Sequence, residues 1–151
     1  MREILFRGKT LTGKWVEGAY YKQEEFYGDK EDAHIIITSK ETLDNDFALE
    51  SHIVIPETVG QFTGLTDKNG KRIFEGDVVK FTDSPFGFSY TGVVCFNEVS
   101  FCIKYEYWKK EEFHRIGQTD EWQNMGASGT VTYEHEVLGN MHDNPELLGD
   151  K

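Results

Sequence analysis

Three histidines with acidic neighbours are the first candidates for metal ligands, because imidazole and carboxylate groups commonly bind zinc. None of the three groups has the spacing of a known zinc site. Successive side chains of a strand point to opposite faces, so the two glutamates beside His135 cannot converge with it on one ion. We therefore predict no metal site. The three groups are His114 with Glu111 and Glu112, His135 with Glu134 and Glu136, and His142 with Asp143.

Two cysteines, Cys95 and Cys102, are the candidates for a nucleophile. A reactive cysteine needs a base within hydrogen-bonding distance and surroundings that lower the pKa of its thiol. Both cysteines lie in hydrophobic stretches of an acidic chain, and such surroundings favour the neutral thiol. A turn at 97–100 would place them directly opposite each other, where a disulfide is geometrically possible. We predict two small core residues with free thiols, because we expect a reducing compartment.

Motifs that bind phosphates or cofactors are absent from the sequence. Neither GxxxxGK[ST] nor a GxGxxG after a strand occurs, and the GKT at 8–10 lacks the upstream glycine and the following helix. Carboxylate pairs are too frequent in this acidic chain to single out a site. We therefore predict no catalytic residues, no cofactor and no enzymatic activity. The alternative is a hydrolase or transferase, which a deep pocket with perturbed carboxylates would favour.

The charge of the chain limits the classes of partner. The 151 residues include 16 basic and 27 acidic ones, which gives a net charge of −11 at pH 7. Nucleic acids and anionic membranes attract basic surfaces, so both are disfavoured as partners. No apolar run approaches the roughly 18 residues of a membrane span, and the first one is too short for a signal peptide. We expect a soluble cytoplasmic protein whose acidity serves either solubility or a basic partner.

The elements that would position any site are short strands. β-Branched and aromatic residues stand between frequent turns, as at 34–38 and 130–138. The strongest signal is the stretch 59–81, in which Asn69 and Gly70 supply the positive φ angles of a tight hairpin turn. We predict an all-β fold of about 9 to 12 short antiparallel strands, arranged in a small barrel or in packed sheets.

One or two short helices are expected beside the strands. Asn144 and Pro145 are typical of a helix start and predict a short C-terminal helical turn. The KKEEFHRI stretch at 109–116 predicts a second short helix, 39–50 a single helical turn, and 117–129 a polar loop. The expected domains are an N-terminal β lobe at 1–55 and a C-terminal barrel-like lobe at 56–151, or one continuous domain.

Two predicted loops, at 84–90 and 120–126, carry large apolar side chains. Aromatic and methionine side chains outside a core are common anchors of protein interfaces. The same side chains would also serve as lids that fold back over the ends of a barrel. The candidate partner-binding residues are Phe86, Phe88, Tyr90, Trp122 and Met125.

Three blocks of the sequence together carry a family resemblance. They read IL-F-RG-K…TGKWVEG at 4–18, IPETVGQFTGLTDKNGKRIFEGDVVKF at 55–81 and EVLGNMHDNPELL at 136–148. In this order they resemble the YopX family of small phage and prophage proteins. The resemblance implies a β-rich fold and a bacterial host cell, and it supplies no catalytic residues. Glycines of these blocks, such as Gly70 and Gly76, are expected at turns and bends.

The sequence therefore predicts an accessory protein that acts by binding protein, including copies of itself in a homo-oligomer. The alternative is a small β-barrel that binds nucleic acid through a local basic patch. The residue pattern at 76–81 and 91–94 is similar to that of SH3-like barrels. Several of these barrels bind RNA or peptides. Two hairpins would supply the patch, with Arg2, Arg7, Lys9 and Lys14 in one and Lys68, Lys71 and Arg72 in the other.

Overall fold

A computed structural model describes residues 3–24, 31–44 and 46–149. These residues form twelve β-strands and two single 3-10 turns, at Pro56–Thr58 and Pro145–Leu148, and no other helix is present among them. The prediction of an all-β fold is therefore confirmed. The strands are β1 Phe6–Lys9, β2 Trp15–Gln23, β3 Ala33–Glu41, β4 Phe47–Ile53, β5 Gly60–Thr66, β6 Arg72–Phe74, β7 Asp77–Ser84, β8 Ser89–Asn97, β9 Ser100–Tyr107, β10 Lys110–Arg115, β11 Asp120–Asn124 and β12 Ala127–Asn140.

The strands pair into two six-stranded antiparallel sheets, one of which is a half-barrel. The strand order is β4-β3-β2-β1-β5-β6 in the first sheet and β10-β9-β8-β7-β12-β11 in the second. The chain divides into two compact units, Met1–Gly64 and Leu65–Lys151, and the division lies within β5. Each unit has a buried apolar cluster of its own.

The core of the first unit lies on one face of its strands. Val16, Ile36 and Val54 are buried together there. Side chains alternate along a strand, so Ile35 and Ile37 of β3 belong to the opposite face, where both are only half-buried. The outermost strand of this sheet is β4. This unit therefore carries apolar side chains on both faces.

The core of the second unit is larger. Along β12, Val131, Tyr133, His135 and Val137 occupy one face, as the alternating sequence predicts, and Tyr133 and Val137 pack against the buried cluster. Each fully buried aliphatic or aromatic side chain contributes about 1.5–3 kcal/mol to folding. The buried members of the cluster are Ile73, Val79, Phe81, Val94, Phe101, Ile103 and Ile116.

The turn between β5 and β6 is held by the buried carboxylate of Asp67. Its Oδ1 accepts hydrogen bonds from the backbone N–H of Asn69 and Lys71, at 2.8 and 2.9 Å. Its Oδ2 accepts a third, from the backbone N–H of Val137 in β12, at 3.0 Å. Gly70 has a φ of +78°, whereas Asn69 does not have a positive φ, so the predicted hairpin turn is confirmed and its positive φ falls on Gly70 alone. The carboxylate also ties this turn to a distant strand.

Two predictions of helix are wrong. Residues 110–115 of the KKEEFHRI stretch form β10, which pairs with β9 along its whole length, and His114 is buried there between exposed neighbours. The stretch 39–50 contributes the end of β3 and most of β4. Hydrogen bonding to a neighbouring strand outweighs the weak helix propensity of these polar stretches.

Two predictions about loops also need correction. The predicted polar loop at 117–129 contains β11 and the start of β12, which pair with each other. The predicted loop at 84–90 is shorter, because Tyr90 already lies in β8 opposite Phe81. At the C-terminus, Asn144 does precede the turn that begins at Pro145, but its side chain accepts a hydrogen bond from the N–H of Asn140 and does not cap the turn.

Candidate binding surface

One face of the second sheet is lined with aromatic rings, and we call it the aromatic face. Phe81 of β7 lies at its centre and is buried. Its ring centroid is 4.3 Å from that of His114, 5.1 Å from Tyr105 and 5.4 Å from Tyr90. The strand registers place these four residues on the same side of β7, β8, β9 and β10. The aromatic face is therefore continuous across four strands.

Two histidines meet on the aromatic face. The Nε2 atoms of His114 and His135 are 3.4 Å apart, so one imidazole donates a hydrogen bond and the other accepts it. Burial, with a smaller contribution from the neighbouring His135, lowers the pKa of His114 to about 4, although Asp120 acts in the opposite direction. Burial also lowers the pKa of His135. Both rings are neutral at pH 7 and are poor bases there.

The tyrosines of this face are also held in their neutral form. Burial raises the pKa of Tyr133, and the hydroxyl group donates a hydrogen bond of 2.5 Å to Oδ2 of Asp120, which raises it further. Burial raises the pKa of Tyr105 as well, with a smaller contribution from Glu112. A general base works best when its pKa is near the operating pH. The histidines and tyrosines of this face with shifted pKa values do not meet that condition. The face therefore offers neutral rings and hydroxyl groups for contact.

The carboxylate of Asp67, which accepts three backbone hydrogen bonds, has a structural role in the second unit. Burial alone would raise the pKa of Asp67, but hydrogen bonds from the N–H groups of Val137, Lys71 and Asn69 together lower it. All its described partners are backbone donors or nearby charges. Within residues 3–24, 31–44 and 46–149, no three His, Cys, Asp or Glu side chains converge as metal ligands would. The carboxylate of Asp67 thus stabilises the turn between β5 and β6.

The turn between β7 and β8 presents two phenylalanines to solvent. Asp83 orders this turn through three hydrogen bonds. Its backbone N–H donates to the oxygen of Phe88, and its backbone oxygen accepts from the N–H of Gly87. Its carboxylate accepts a hydrogen bond from the N–H of Phe88 at 3.0 Å. Gly87 has a φ of +77°. Phe86 and Phe88 are exposed, and Phe88 retains 61% of its accessible surface. A hydrogen-bonded turn therefore carries both exposed rings.

The turn between β9 and β10 presents a tryptophan at the same end of the sheet. It has two central residues, Trp108 and Lys109, with φ angles of +52° and +60°. Such a turn favours Asn and Gly, because positive φ is costly for residues with a large side chain. Trp108 nevertheless occupies it and is 82% exposed. Its ring contacts Tyr107, whose ring contacts Tyr90 on the aromatic face.

The β11–β12 hairpin carries the remaining two predicted residues. Trp122 lies in β11 opposite Gly129, and Met125 lies at the tip, where it is fully exposed with a φ of +47°. β7 ends at Ser84, which pairs with Thr132. At about 3.3 Å per residue, the tip extends roughly 20 Å beyond that pair.

The structure therefore gathers three of the five predicted residues at one end of the second sheet, and we call this end the aromatic end. Phe86 and Phe88 are exposed there, whereas Tyr90 packs against Phe81. Trp122 and Met125 belong to the separate hairpin. Sequence reasoning missed Trp108, because the dipeptide Trp-Lys has none of the residue types that mark a tight turn. The strand-like alternation before it, at 103–107, was the available signal.

The two cysteines lie apart from the aromatic end. Cys95 and Cys102 are directly opposite each other in β8 and β9, as predicted, and both are free thiols. Burial raises the pKa of Cys95, and the nearby Cys102 adds to this shift. Cys102 is buried, and its thiol donates to the backbone oxygen of Ser100 at 3.7 Å. The raised pKa of Cys95 is the opposite of what a nucleophilic thiol needs.

The family model described as YopX protein matches residues 5–149. The chain belongs to this family, and the match covers nearly its whole length. No curated protein matches the chain. No helix in the described part of the chain is long and apolar enough to cross a membrane.

Proposed function

We propose that this protein is a non-enzymatic, phage-type accessory protein that binds another protein through the aromatic end of its second unit. Membership of the YopX family fits a phage-type protein. The proposal rests on one observation above all, the exposed Trp108 in a turn whose backbone is unfavourable for it. Local strain that the fold does not need is a recurrent mark of functional sites.

The surroundings of Trp108 suit a protein partner. Phe86 and Phe88 stand exposed on the neighbouring turn of the same end. Large aromatic side chains on rigid turns anchor interfaces at a low entropic cost. The neutral tyrosines and histidines behind them would support such contacts without contributing a charged group. We further propose that the protein acts in the cytoplasm of a bacterial host cell, in keeping with its two free thiols.

Binding of nucleic acid remains the weaker candidate. One lysine of the predicted basic patch, Lys68, is engaged by Glu134 at 3.5 Å and by Glu136 at 3.1 Å. These contacts leave less of its charge for a phosphate. A titration with single-stranded and double-stranded DNA and RNA at low and high salt tests this alternative. Measurable affinity that falls steeply with salt would favour it over the protein partner.

A comparative affinity capture tests the main proposal. The tagged protein and two variants are incubated with lysate of a bacterial host, and captured proteins are identified by mass spectrometry. The variant Phe86→Ser/Phe88→Ser should recover its partner at least about tenfold less well. Val99→Ser is the control, because Val99 is also an exposed apolar residue and lies in the turn at the other end of β8 and β9. Equal capture by both variants would contradict the proposal.

A further inference from the structure

One outer edge of the second sheet is formed by β10. Among the described residues, β10 pairs with β9 and is the last strand of its sheet. The N–H of Ile116, which directly follows β10, donates to the backbone oxygen of Phe101 in β9 at 3.2 Å. Ladder hydrogen bonds alternate along an antiparallel strand, so the even-numbered residues of β10 bond to β9. The N–H and C=O groups of Glu111, Phe113 and Arg115 therefore point away from the sheet.

This outer edge is open along the strand. Among the described residues, no hydrogen bond engages the outward backbone groups of Glu111 or Phe113, nor the N–H of Arg115. The oxygen of Arg115 accepts one hydrogen bond, from the N–H of Gln118 at 3.4 Å, and a carbonyl oxygen has a second lone pair. The side chains of the three outward residues are exposed, Phe113 to 45%. Such an edge is suited to the addition of another strand.

The outward residues of β10 have a self-complementary pattern. Side chains of every second residue share one face of a strand, so Glu111, Phe113 and Arg115 follow each other there as acidic, apolar and basic. When an identical strand lies antiparallel and is centred on Phe113, the acidic end of each strand meets the basic end of the other. Glutamate and arginine carry full opposite charges at neutral pH. Glu111 contacts Lys104 at 2.6 Å, whereas no acidic side chain of the described residues pairs with Arg115. The guanidinium group is therefore available to a second strand.

From these observations we infer that β10 pairs with β10 of a second copy of this chain, antiparallel and with Phe113 opposite Phe113. In this register Glu111 lies opposite Arg115 of the other copy, and the two-fold axis repeats this pair. The two phenylalanine rings meet at the axis and cover each other's exposed surface. The outward N–H and C=O groups of the three residues form the ladder between the copies. The contact is isologous, because the same surface serves both copies.

Charge separates this register from its neighbours. Charged residues on an edge strand normally hinder pairing with other strands, and the neighbouring registers keep that protection. A shift of two residues in one direction places Glu112 opposite Glu112, which is repulsive in a chain of net charge −11. A shift of two residues in the other direction places Arg115 opposite Phe113 and loses both complementary pairs. The register centred on Phe113 alone opposes Glu111 and Arg115, which is why we choose a second copy over an unrelated strand.

Sedimentation equilibrium over a range of concentrations tests the dimer. The natural chain should dimerise. Arg115→Glu and Glu111→Arg should each weaken dimerisation at least about tenfold, because each places like charges opposite each other twice. Lys40→Glu is the matched control, since it changes the net charge as Arg115→Glu does, at an exposed residue of β3, and it should dimerise normally. A monomeric natural chain, or equal dimerisation by all four proteins, would overturn the inference.

A mixture of the two charge variants tests the pairing of Glu111 with Arg115. Arg115→Glu presents two acidic residues to a partner strand and Glu111→Arg presents two basic ones, so both pairs are complementary only in the mixed dimer. Native mass spectrometry of the mixture should show a heterodimer that forms at least about tenfold more tightly than the dimer of either variant. A mixture without preference for the heterodimer would contradict the inference.

Cross-linking tests the centre of the register. In a Cys95→Ser/Cys102→Ala background, Phe113→Cys should form a disulfide between two copies on mild oxidation with diamide, and Glu112→Cys should not. Preferential cross-linking through Glu112→Cys would instead support the shifted register and contradict this one.

The dimer goes beyond the proposed function, which concerns a different protein partner at the aromatic end. The two proposals are separated by exchanging their variants between the two assays. Phe86→Ser/Phe88→Ser should dimerise as the natural chain does, and Arg115→Glu should capture the partner as the natural chain does. Loss of dimerisation in the first variant would contradict the β10 dimer, and a monomeric natural chain that still captures a partner would overturn the dimer alone.

Discussion

Two hairpin turns of the second unit differ in how their residues suit their backbones. At the turn between β5 and β6, Asp67 accepts three backbone N–H groups and Gly70 supplies the positive φ angle. At the turn between β9 and β10, Trp108 and Lys109 occupy two positive φ angles that favour other residues. The first turn is explained by folding alone. The second stabilises the fold less than Asn-Gly would, and its exposed ring is available to a partner.

Loss of the Asp67 carboxylate should have the largest effect. Asp67→Ala leaves three N–H groups without their acceptor, so we expect the free energy of unfolding to fall by about 3–5 kcal/mol. The loss for Asp67→Asn should lie between zero and the loss for Asp67→Ala. The single amide oxygen of asparagine can replace only one of the two carboxylate oxygens as an acceptor. Urea denaturation measures both changes. A loss below about 1 kcal/mol for Asp67→Ala would show that this turn does not depend on its carboxylate.

Acid should destabilise the region behind the Trp108 turn before it affects the Asp67 turn. The pKa of His114 is lowered from 6.5 to about 4 on folding, so the unfolded chain binds more protons between these values. Stability is complete above pH 6.5 and falls by at most about 3 kcal/mol as the pH drops toward 4. Asp67, whose pKa is lowered from 3.8, contributes stability that is lost only as the pH falls below 3.8.

The variant His114→Phe provides the control for this pH dependence. The ring can keep its stacking on Phe81, at 4.3 Å between centroids, but it cannot bind a proton. Urea denaturation at several pH values between 4 and 7 should give a flatter profile than that of the natural chain. An unchanged slope would place the acid sensitivity in other groups.

Replacement of Gly70 should have a smaller effect. A Cβ atom at this position meets no heavy atom within 4 Å, so the cost of Gly70→Ala comes from the φ of +78° alone. We expect a loss of about 1 kcal/mol, against about half that value for Gly70→Asn, which tolerates this conformation. Thermal unfolding of both variants measures the difference. Equal stability of Gly70→Ala and the natural chain would mean that residue 70 does not keep its positive φ angle in solution.

Sequence reasoning succeeded where residue types indicate the backbone conformation. Asn69-Gly70 identified the β5–β6 hairpin, and the turn predicted at 97–100 placed Cys95 opposite Cys102. It failed at 109–116, because Trp108-Lys109 has no turn chemistry and the charged stretch after it has helix propensity. It also missed the bond from Val137 to Asp67, because these residues are 70 positions apart and only the assembled strands bring them together.

The most direct test of the central claim is a paired measurement on Trp108→Asn. Asparagine suits the positive φ angle, so this variant should be more stable than the natural chain by about 0.5–1 kcal/mol in urea denaturation. The same variant should capture its protein partner at least about tenfold less well. Greater stability combined with lost capture is the result that this account predicts. Lower stability with full capture would contradict it, because Trp108 would then be a structural residue of its turn.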